Sequence, residues 1–371
     1  MSVALGLQNP GGTIQKLKSI QDEIIGRVDV GKCTMEDALT LYNSPLYLFQ
    51  LADMLRKKAV GDVVTYVINR NINFTNRCVG TCKFCAFRKE DGFILSIPEI
   101  LDKIRDAKNI NATEVCIQGG LLPDWDINNY CEILEAIKQD FPSLHIHAFS
   151  PMEVFHAAHN SNISIKETLL QLKKSGLDSM PGTAAEILSD RVREEICPEK
   201  LTTHEWIDVV RTAHRTGSPT TSTMMYGHIE TLEERIDHMF IIREIQKKTG
   251  GFTEFVPLPF MNLNNCLGES DRVCHEHEDL KLHALARVIL YPYIRNIQVS
   301  WVKLGKKMAQ SAMNFGANDL GGTLMEENIS KSAGASNGEY MAPEEFKSLI
   351  TEINRIPRQR DTLYQPVKVL S

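Results

Sequence analysis

Three closely spaced cysteines offer the clearest chemistry in this chain of 371 residues: Cys78, Cys82 and Cys85. Cysteines placed independently at their overall frequency would produce this spacing roughly 0.005 times in such a chain. Iron–sulfur clusters are held by cysteine thiolates, and a [4Fe-4S] cubane normally takes four of them. A loop with three thiolates leaves one iron without a protein ligand, and an open metal position can bind a further molecule. The spacing therefore predicts one [4Fe-4S] cluster with one open iron.

A structural zinc site is the alternative interpretation of this loop. Zinc would need a fourth ligand, and no second Cys-x-x-Cys occurs in the chain. Cys274 and His275 are candidates for that ligand, although we interpret residues 266–277 as a solvated loop. An odd total of nine cysteines does not indicate a disulfide framework. Four scattered cysteines are predicted to be mostly small buried side chains: Cys33, Cys116, Cys131 and Cys197.

The composition is that of an ordinary globular protein, with 43% hydrophobic and 24% charged residues. A net charge of −6 argues against broad nucleic-acid binding. No apolar stretch is long enough to span a bilayer, and residues 1–15 lack the charged start and apolar core of a secretory signal. We therefore expect a cytoplasmic protein with neither a nucleic-acid nor a membrane partner.

Strand-like and helix-like segments alternate along most of the chain, after a helical segment at its N-terminus. The predicted strands are Val64–Asn73, Glu114–Gln118, His145–Phe149, Ser179–Gly182, Pro219–Tyr226, Thr253–Leu258, Ile297–Val302 and Ala317–Gly321. The predicted helices are Ile97–Ala107, Asn129–Gln139, Ile165–Lys174, His204–Thr216, Leu232–Lys248, Asp279–Leu290, Gly305–Asn314 and Pro343–Arg355. This alternation indicates parallel strands joined by right-handed crossovers.

Eight strand–helix units are the number that closes a (β/α)8 barrel. An open doubly wound sheet is the alternative, although no Gly-x-Gly-x-x-Gly follows the first strand. We expect an α/β protein in three parts. These are a helical segment over residues 1–60, a TIM-type barrel over residues 61–325, and a C-terminal helix and tail over residues 326–371.

The barrel predicts where the chemistry takes place, because barrel enzymes have their active sites at the C-terminal ends of the strands. Those ends are rich here in polar residues and glycine: Arg70, Asn71 and Asn73; Gln118-Gly119-Gly120; His147 and Ser150; Pro181-Gly182-Thr183; and Tyr226-Gly227-His228. A chain that needed only a packed barrel would have no reason to place them there.

The motifs resemble those of the radical S-adenosylmethionine (SAM) superfamily, through Cys78-x3-Cys82-x2-Cys85 with the aromatic Phe84 inside the loop. Within it, the chain resembles the 5-amino-6-(D-ribitylamino)uracil–L-tyrosine 4-hydroxyphenyl transferases, the tyrosine-using subunits of FO synthase. The residues that carry this resemblance are Asn71-Ile-Asn73-Phe-Thr-Asn, Cys85-Ala-Phe-Arg, Gln118-Gly-Gly, His145-Ile-His147-Ala-Phe-Ser-Pro-Met-Glu153, Met180-Pro-Gly-Thr-Ala-Ala-Glu186-Ile, Ile196-Cys-Pro-Glu-Lys200, Met225-Tyr-Gly-His228-Ile-Glu-Thr and Phe255-Val-Pro-Leu-Pro-Phe260.

Aminofutalosine synthase and the related radical SAM enzyme of menaquinone synthesis are the nearest alternatives. They have Gly-Gly-Gly where this chain has Pro181-Gly182-Thr183. Leu121 and Leu122 also depart from the wider pattern, which more often has an acid and a polar residue there, and residues 261–277 match the transferase family least well.

The resemblance implies a reaction and its cofactors. In radical SAM enzymes, SAM binds the open iron, and one electron from the cluster cleaves it to methionine and a 5′-deoxyadenosyl radical. In the transferase family, that radical takes hydrogen from L-tyrosine and the Cα–Cβ bond breaks. The 4-hydroxybenzyl unit then adds to 5-amino-6-(D-ribitylamino)uracil, and 2-iminoacetate leaves.

The resemblance also implies protein partners in deazaflavin biosynthesis. A ferredoxin- or flavodoxin-type protein would donate the electron. FO synthase needs a second cluster loop to close the deazaflavin ring, and this chain has only one such loop. A separate ring-forming radical SAM subunit is therefore implied as the recipient of the product.

Roles for individual residues follow from the strand ends together with the resemblance. The expected cofactor-binding residues are Phe84, Gln118, Gly119, Gly120, Glu186 and Arg193, and the expected catalytic residues are His147, His228 and Tyr226. The expected substrate-binding residues are Arg70, Asn73, Ser150 and Glu153, and Lys83, Arg88 and Lys89 would offset the negative charge of the cluster. The alternatives are a simple tight turn at the glycines, ion pairs at Glu186 and Arg193, and structural hydrogen bonds at the histidines.

Overall fold

The computed structural model describes residues 21–268 and 275–367, in which helices surround a ring of strands. The strands are β1 Val63–Val67, β2 Asn69–Asn73, β3 Glu114–Gln118, β4 His145–Ala148, β5 Thr220–Tyr226, β6 Phe252–Pro259, β7 Asp319–Gly322 and β8 Ile356–Arg360. The helices are α1 over residues 21–29, α2 Met35–Tyr42, α3 Pro45–Val60, α4 Ile97–Asn109, α5 Ile127–Asp140, α6 Pro151–Ser161, α7 Ile165–Ser175, α8 Asp190–Ile196, α9 Thr203–Arg215, α10 Leu232–Thr249, α11 Glu276–Leu290, α12 Trp301–Leu304, α13 Lys306–Ala312, α14 Asn328–Ser332 and α15 Pro343–Glu352.

The strands form a closed barrel. β1 and β2 follow one another directly, β2 pairs in parallel with β3 and β3 with β4, and β5 pairs in parallel with β6. Two short segments complete the ring, since Ser179 and Met180 bridge β4 to β5, and Ile297 and Gln298 bridge β6 to β7. β7 then pairs in parallel with β1, which closes the ring. This arrangement confirms the predicted (β/α)8 barrel.

Every predicted strand segment lies in the ring, but two of them are shorter than expected. The segment predicted over Ser179–Gly182 contributes only isolated bridges. The strand predicted over Ile297–Val302 ends early because α12 begins at Trp301, whose indole N–H donates to the Gly322 carbonyl at 3.0 Å. Helices α6, α8, α12 and α14 have no counterpart among the predicted helices.

Each strand has one face towards the barrel interior and the other towards the helices, so successive side chains alternate between them. In β3, Val115 and Ile117 are fully buried against the helices and belong to the apolar core. Glu114 faces the interior, where its carboxylate accepts a hydrogen bond from the Asn69 amide at 3.1 Å. The apolar core therefore lies outside the ring, and polar side chains occupy part of its interior.

The C-terminal strand β8 was not expected, since the sequence predicts only a helix and tail after residue 325. It pairs in parallel with β1, from Val63 opposite Ile356 to Val67 opposite Arg360. β1 is the N-terminal half of the first barrel strand. β8 therefore closes the end of the barrel opposite to the one where the strands end.

A buried group of charges anchors β8 to the barrel. The Arg360 guanidinium donates to both oxygens of Asp319, at 2.6 and 3.0 Å, and lies 3.4 Å from the Glu254 carboxylate. Thr65 donates to the same Asp319 carboxylate at 2.5 Å, and the Tyr364 hydroxyl donates to Glu254. Because an unpaired charge is costly to bury, these contacts bind the C-terminal segment to the barrel interior.

Replacing Arg360 with alanine is expected to lower the free energy of unfolding by about 3–5 kcal/mol, because the Asp319 and Glu254 carboxylates would stay buried without their cation. Urea denaturation followed by circular dichroism measures the loss. Arg358→Ala is the matched control, since Arg358 is exposed on the same strand and should change stability by less than about 0.5 kcal/mol. Equal stability of the two variants would contradict this account.

Candidate active site at the barrel mouth

The loop after β2, residues 76–93, carries the three cysteines and lies at the end of the barrel where the strands end, here called the barrel mouth. The Val79 N–H donates to the Leu121 carbonyl, just after β3, at 2.9 Å. The Lys83 N–H donates to the Ile196 carbonyl in α8 at 2.9 Å, and the Lys83 carbonyl accepts from the Leu267 N–H at 2.9 Å. Backbone hydrogen bonds to three other segments therefore hold this loop in place.

Two cysteines of this loop have their sulfurs close to Gly80. The Cys78 and Cys82 sulfurs lie 3.4 and 4.0 Å from the point where a Cβ on Gly80 would stand, and glycine has no Cβ there. The Cys85 N–H donates to the Cys82 carbonyl at 3.1 Å, and this turn keeps the backbone of Cys85 close to that of Cys82. Burial raises the pKa of the Cys82 thiol to about 12. A metal group would therefore have to displace a proton from this thiol when it binds.

Gly119 and Gly120 let the cysteine loop approach the end of β3. A Cβ on Gly120 would stand 2.0 Å from the Arg77 carbonyl oxygen and 2.8 Å from the Cys78 Cβ. A Cβ on Gly119 would stand 2.6 Å from the ring of Phe74. Any side chain at these positions would push the loop or the ring away. The packing by itself therefore requires glycine at both positions.

Glu153 joins the end of β3 to the start of α6. Its carboxylate accepts from the Gly119 N–H at 3.1 Å and from the Ser150 N–H at 2.6 Å, and the Ser150 hydroxyl accepts from the Glu153 N–H at 3.3 Å. The pair is the capping box of α6. Burial raises the pKa of Glu153 to about 7. Ser150 and Glu153, which were expected to bind substrate, are therefore hydrogen-bonded to each other's backbone. Glu153 also holds Gly119 in place at the end of β3.

Lys200 is the cation that lies behind the cysteine loop, and the sequence analysis did not single it out. Its ammonium donates to the Glu186 carboxylate at 2.6 Å and lies 5.2 Å from the centre of the Phe84 ring. Burial opposes its charge, but Glu186 and the sulfur of Cys82 more than compensate, and the pKa of Lys200 rises. The motif Ile196-Cys-Pro-Glu-Lys200 contained the signal, since it places a lysine three residues after a cysteine near the mouth.

Gln118, Thr183 and Asn73 meet at the mouth. The Thr183 hydroxyl donates to the Gln118 side-chain oxygen at 2.9 Å, and the Asn73 amide donates to the Gln118 carbonyl at 3.3 Å. Gln118 and Thr183 are half-buried. These polar groups therefore remain accessible at the mouth, beside the glycine pair and the cysteine loop.

Comparison with known proteins shows to which family the chain belongs. The model of the Radical SAM superfamily matches residues 72–242, and that of the CofH/MqnC C-terminal region matches residues 249–371. A 5-amino-6-(D-ribitylamino)uracil–L-tyrosine 4-hydroxyphenyl transferase of Methanosarcina acetivorans is 60% identical over 360 residues, which cover 95% of this chain and 96% of that protein. The chain belongs to this radical SAM transferase family. A transferase of the same description from Archaeoglobus fulgidus is 57% identical over 324 residues, covering 87% of this chain and 94% of that protein.

Two solved structures share the fold of this transferase-family chain. The hydrogenase maturase HydG of Carboxydothermus hydrogenoformans superposes with a TM-score of 0.72 and 16% identity, covering 94% of this chain and 82% of that one. Methylornithine synthase superposes with a TM-score of 0.71 and 17% identity, covering 90% and 97%. Family membership implies a [4Fe-4S] cluster and SAM as cofactors.

No helix within residues 21–268 and 275–367 combines the length and the apolar character that a bilayer crossing requires. In the same part of the chain, no three cysteine, histidine or carboxylate side chains approach closely enough to bind one metal ion together. The zinc alternative at residues 266–277 falls partly outside the described residues, since Cys274 lies there.

His147 lies inside the barrel on β4. Its Nδ1 is 2.7 Å from the Ser179 hydroxyl, and His145 contacts the same hydroxyl at 2.7 Å. Burial lowers the pKa of His147 to about 4, although nearby Glu114 acts in the opposite direction. The imidazole is therefore neutral at physiological pH and joins β4 to the short strand segment at Ser179.

His228 is buried just after β5, in a network organised by Glu230. Its Nδ1 lies 3.0 Å from the Glu230 carboxylate, and its Nε2 lies 3.2 Å from the Met225 carbonyl. The same carboxylate accepts from the backbone of Gly227 and from Arg235. These contacts fit a structural hydrogen-bonding role for His228, the alternative given in the sequence analysis, better than a contact with substrate.

Tyr226 and Arg70 point out of the barrel. The Tyr226 hydroxyl donates to Asp279 in α11 at 2.7 Å. Arg70 donates to the Lys103 carbonyl in α4 at 2.9 Å and to Glu326 at 2.6 Å. The expected catalytic and substrate-binding roles therefore need correction, because strand alternation turns both side chains towards the helices.

Arg193 is committed to backbone carbonyls. Its guanidinium donates to Leu201 at 2.7 Å, to Ala184 at 3.3 Å and also to Ala185 and Ile187. Ala184 and Glu186 both have positive φ angles, of 61° and 46°. Arg193 thus stabilises a strained loop that presents Glu186, and contact with a SAM carboxylate would require breaking these bonds.

Substituting Gly120 with alanine is expected to displace the cysteine loop, because the new methyl group would overlap the Arg77 carbonyl, and relief of such overlap costs about 1–3 kcal/mol. Iron and sulfide analysis after anaerobic reconstitution should show clearly less iron per chain than the wild type. Gly26→Ala is the control, since nothing lies within 4 Å of its Cβ position in α1. A Gly120→Ala protein with the wild-type iron content would refute this packing argument.

Proposed function

We infer that this chain transfers the 4-hydroxybenzyl group of L-tyrosine to 5-amino-6-(D-ribitylamino)uracil, releasing 2-iminoacetate, in deazaflavin biosynthesis. The observation that carries the inference is the 60% identity to a transferase of that description over 95% of this chain. The match to the CofH/MqnC region alone would not distinguish this reaction from the menaquinone alternative, because the description of that region names two enzymes. Identity across the whole barrel favours the transferase.

We propose that Cys78, Cys82 and Cys85 bind a single [4Fe-4S] cluster whose fourth iron is free for SAM. The support is that the Cys78 and Cys82 sulfurs lie 3.4 and 4.0 Å from one point, the Cβ position of Gly80, so two of the three expected ligands are near one another. Lys200 adds a buried positive charge near Cys82, which offsets the charge of an anionic cluster. Lys83, Arg88 and Lys89, expected to serve that purpose, are exposed.

The bound cofactors would supply a 5′-deoxyadenosyl radical, which removes hydrogen from L-tyrosine. The task of this chain is then to orient both substrates and exclude water, since a primary carbon radical attacks whatever it touches. Residues 261–268 contribute to that enclosure. They join the cysteine loop through Leu267 and reach α14 through the Asn264 amide, which donates to the Ser332 carbonyl at 3.0 Å.

Anaerobically reconstituted protein given SAM, dithionite, ring-labelled L-tyrosine and the diaminouracil is expected to form a labelled adduct and 5′-deoxyadenosine. Cys82→Ala should abolish both products, because the cluster loses a ligand. Cys131→Ala, a half-buried cysteine on α5, is the matched control and should retain them. Mass spectrometry separates this outcome from the aminofutalosine alternative, in which a 3-enolpyruvyl-benzoate substrate reacts and tyrosine does not.

We propose that the electron donor is an acidic ferredoxin- or flavodoxin-type protein that docks on the cysteine loop. Residues 76–93 carry four basic side chains against two acidic ones, in a chain whose net charge is −6. Arg77, Lys83, Arg88 and Lys89 are all exposed. The separate ring-forming subunit would receive the product. A cytoplasmic location, where such donors act, agrees with the eight free cysteines of the described residues.

Charge reversal of Arg88 and Lys89 together to glutamate is expected to raise KM for the protein donor by roughly tenfold at low salt, because rim charges steer association. Turnover driven by dithionite should stay at the wild-type rate. The control reverses Lys166 and Lys174, which are exposed on α7. If both double variants behave alike with the protein donor, the loop is not its docking surface.

A further inference from the structure

The ion pair between Lys200 and Glu186 lies directly beside the cysteine loop. The Lys200 ammonium donates to the Glu186 carboxylate at 2.6 Å and lies 5.2 Å from the centre of the Phe84 ring. Phe84 belongs to the loop and stands in the chain between Cys82 and Cys85. The ammonium therefore contacts the segment that joins two of the expected cluster ligands.

Backbone hydrogen bonds fix both members of this pair. The Ile196 carbonyl, four residues before Lys200, accepts from the Lys83 N–H in the cysteine loop at 2.9 Å. The Glu186 carbonyl accepts from the Met225 N–H, near the end of β5, at 2.7 Å. The segment that carries the lysine is thus bonded to the loop, and the segment that carries the carboxylate is bonded to the barrel. Both charges are therefore held beside the cysteines.

The pair is better shielded from water than the other charges near the cysteines. The Lys200 and Glu186 side chains are only 19% and 13% exposed. The basic side chains of the loop itself, including Lys83 and Lys89, are exposed. Water and salt screen an exposed charge strongly and a partly buried charge much less. The pair should therefore influence a cluster on this loop more strongly than the exposed lysines do.

A charge beside an iron–sulfur cluster changes the free energy of reduction, because reduction adds one negative charge to the cluster. A nearby cation stabilises the reduced form and raises the reduction potential, and a nearby carboxylate lowers it. The two charges of the pair therefore oppose each other, but unequally. The pKa of the Cys82 thiol is lowered more by Lys200 than it is raised by Glu186.

We propose that Lys200 raises the reduction potential of the cluster on the cysteine loop and Glu186 lowers it, with a net effect that favours reduction. The proposal rests on the proposed function, which assigns one [4Fe-4S] cluster to this loop. Both residues act through the cluster and need no contact with tyrosine or the diaminouracil. A cluster that is easier to reduce accepts its electron from a weaker reductant, so the pair sets which electron donors can drive the reaction.

The test is an EPR-monitored redox titration of the anaerobically reconstituted full chain, without SAM or substrates. Lys200→Met should lower the midpoint potential by about 59 mV, which corresponds to a roughly tenfold weaker one-electron reduction equilibrium. Glu186→Gln should raise the potential, and Lys200→Arg, which keeps the charge, should stay close to the wild type. Lys83→Met, an exposed lysine on the loop, is the matched control and should shift the potential much less.

Shifts of opposite sign in Lys200→Met and Glu186→Gln support the proposal, because loss of a purely structural ion pair would disturb the loop in the same way from either side. Shifts of the same sign, or shifts no larger than that of Lys83→Met, would overturn it. If Lys200→Met takes up no cluster, as iron analysis would reveal, Glu186→Gln and Lys200→Arg decide the question. The proposed function fails separately, namely if the wild type forms no adduct from tyrosine, whatever its potential.

Discussion

The close approach of the cysteine loop to the end of β3 is the contact on which the rest of the mouth depends. The Arg77 carbonyl and the Cys78 Cβ occupy the space that a side chain on Gly120 would need. Glu153 fixes the same glycine pair from the other side, by accepting a hydrogen bond from the Gly119 N–H. Backbone packing therefore places the loop that carries the three cysteines.

Buried or half-buried carboxylates organise the loops after four of the strand segments. Glu153, Glu186, Glu230 and Glu327 follow the third, fourth, fifth and eighth segments, and each accepts hydrogen bonds from nearby backbone or basic groups. A loop lacks the regular backbone hydrogen bonds of a strand or helix. A carboxylate that accepts several hydrogen bonds replaces these missing backbone acceptors. The sequence predicts cofactor binding for Glu186 and substrate binding for Glu153, because barrel enzymes place such groups at strand ends, and it does not identify the other two. In the structure, their shared property is that they hold the mouth in shape.

The sequence predicts the ring of strands and the cysteine loop, but not which face each polar residue occupies. Asn69 and Arg70 are neighbours in one strand, yet Asn69 contacts Glu114 inside the barrel and Arg70 contacts α4 outside it. Alternation of apolar and polar residues normally separates the faces, and it fails here because both faces are buried and both carry polar groups. β8 escapes prediction for a related reason, since Ile-Pro-Arg-Gln-Arg contains a proline and no apolar alternation.

Partners inside the protein compensate the charge of three buried or half-buried cations that are important for this fold. Arg360 is bound by Asp319 and Glu254, Arg193 by four carbonyls, and Lys200 by Glu186. Each offsets the cost of its burial with partners inside the protein, so none can bind a ligand without losing that compensation.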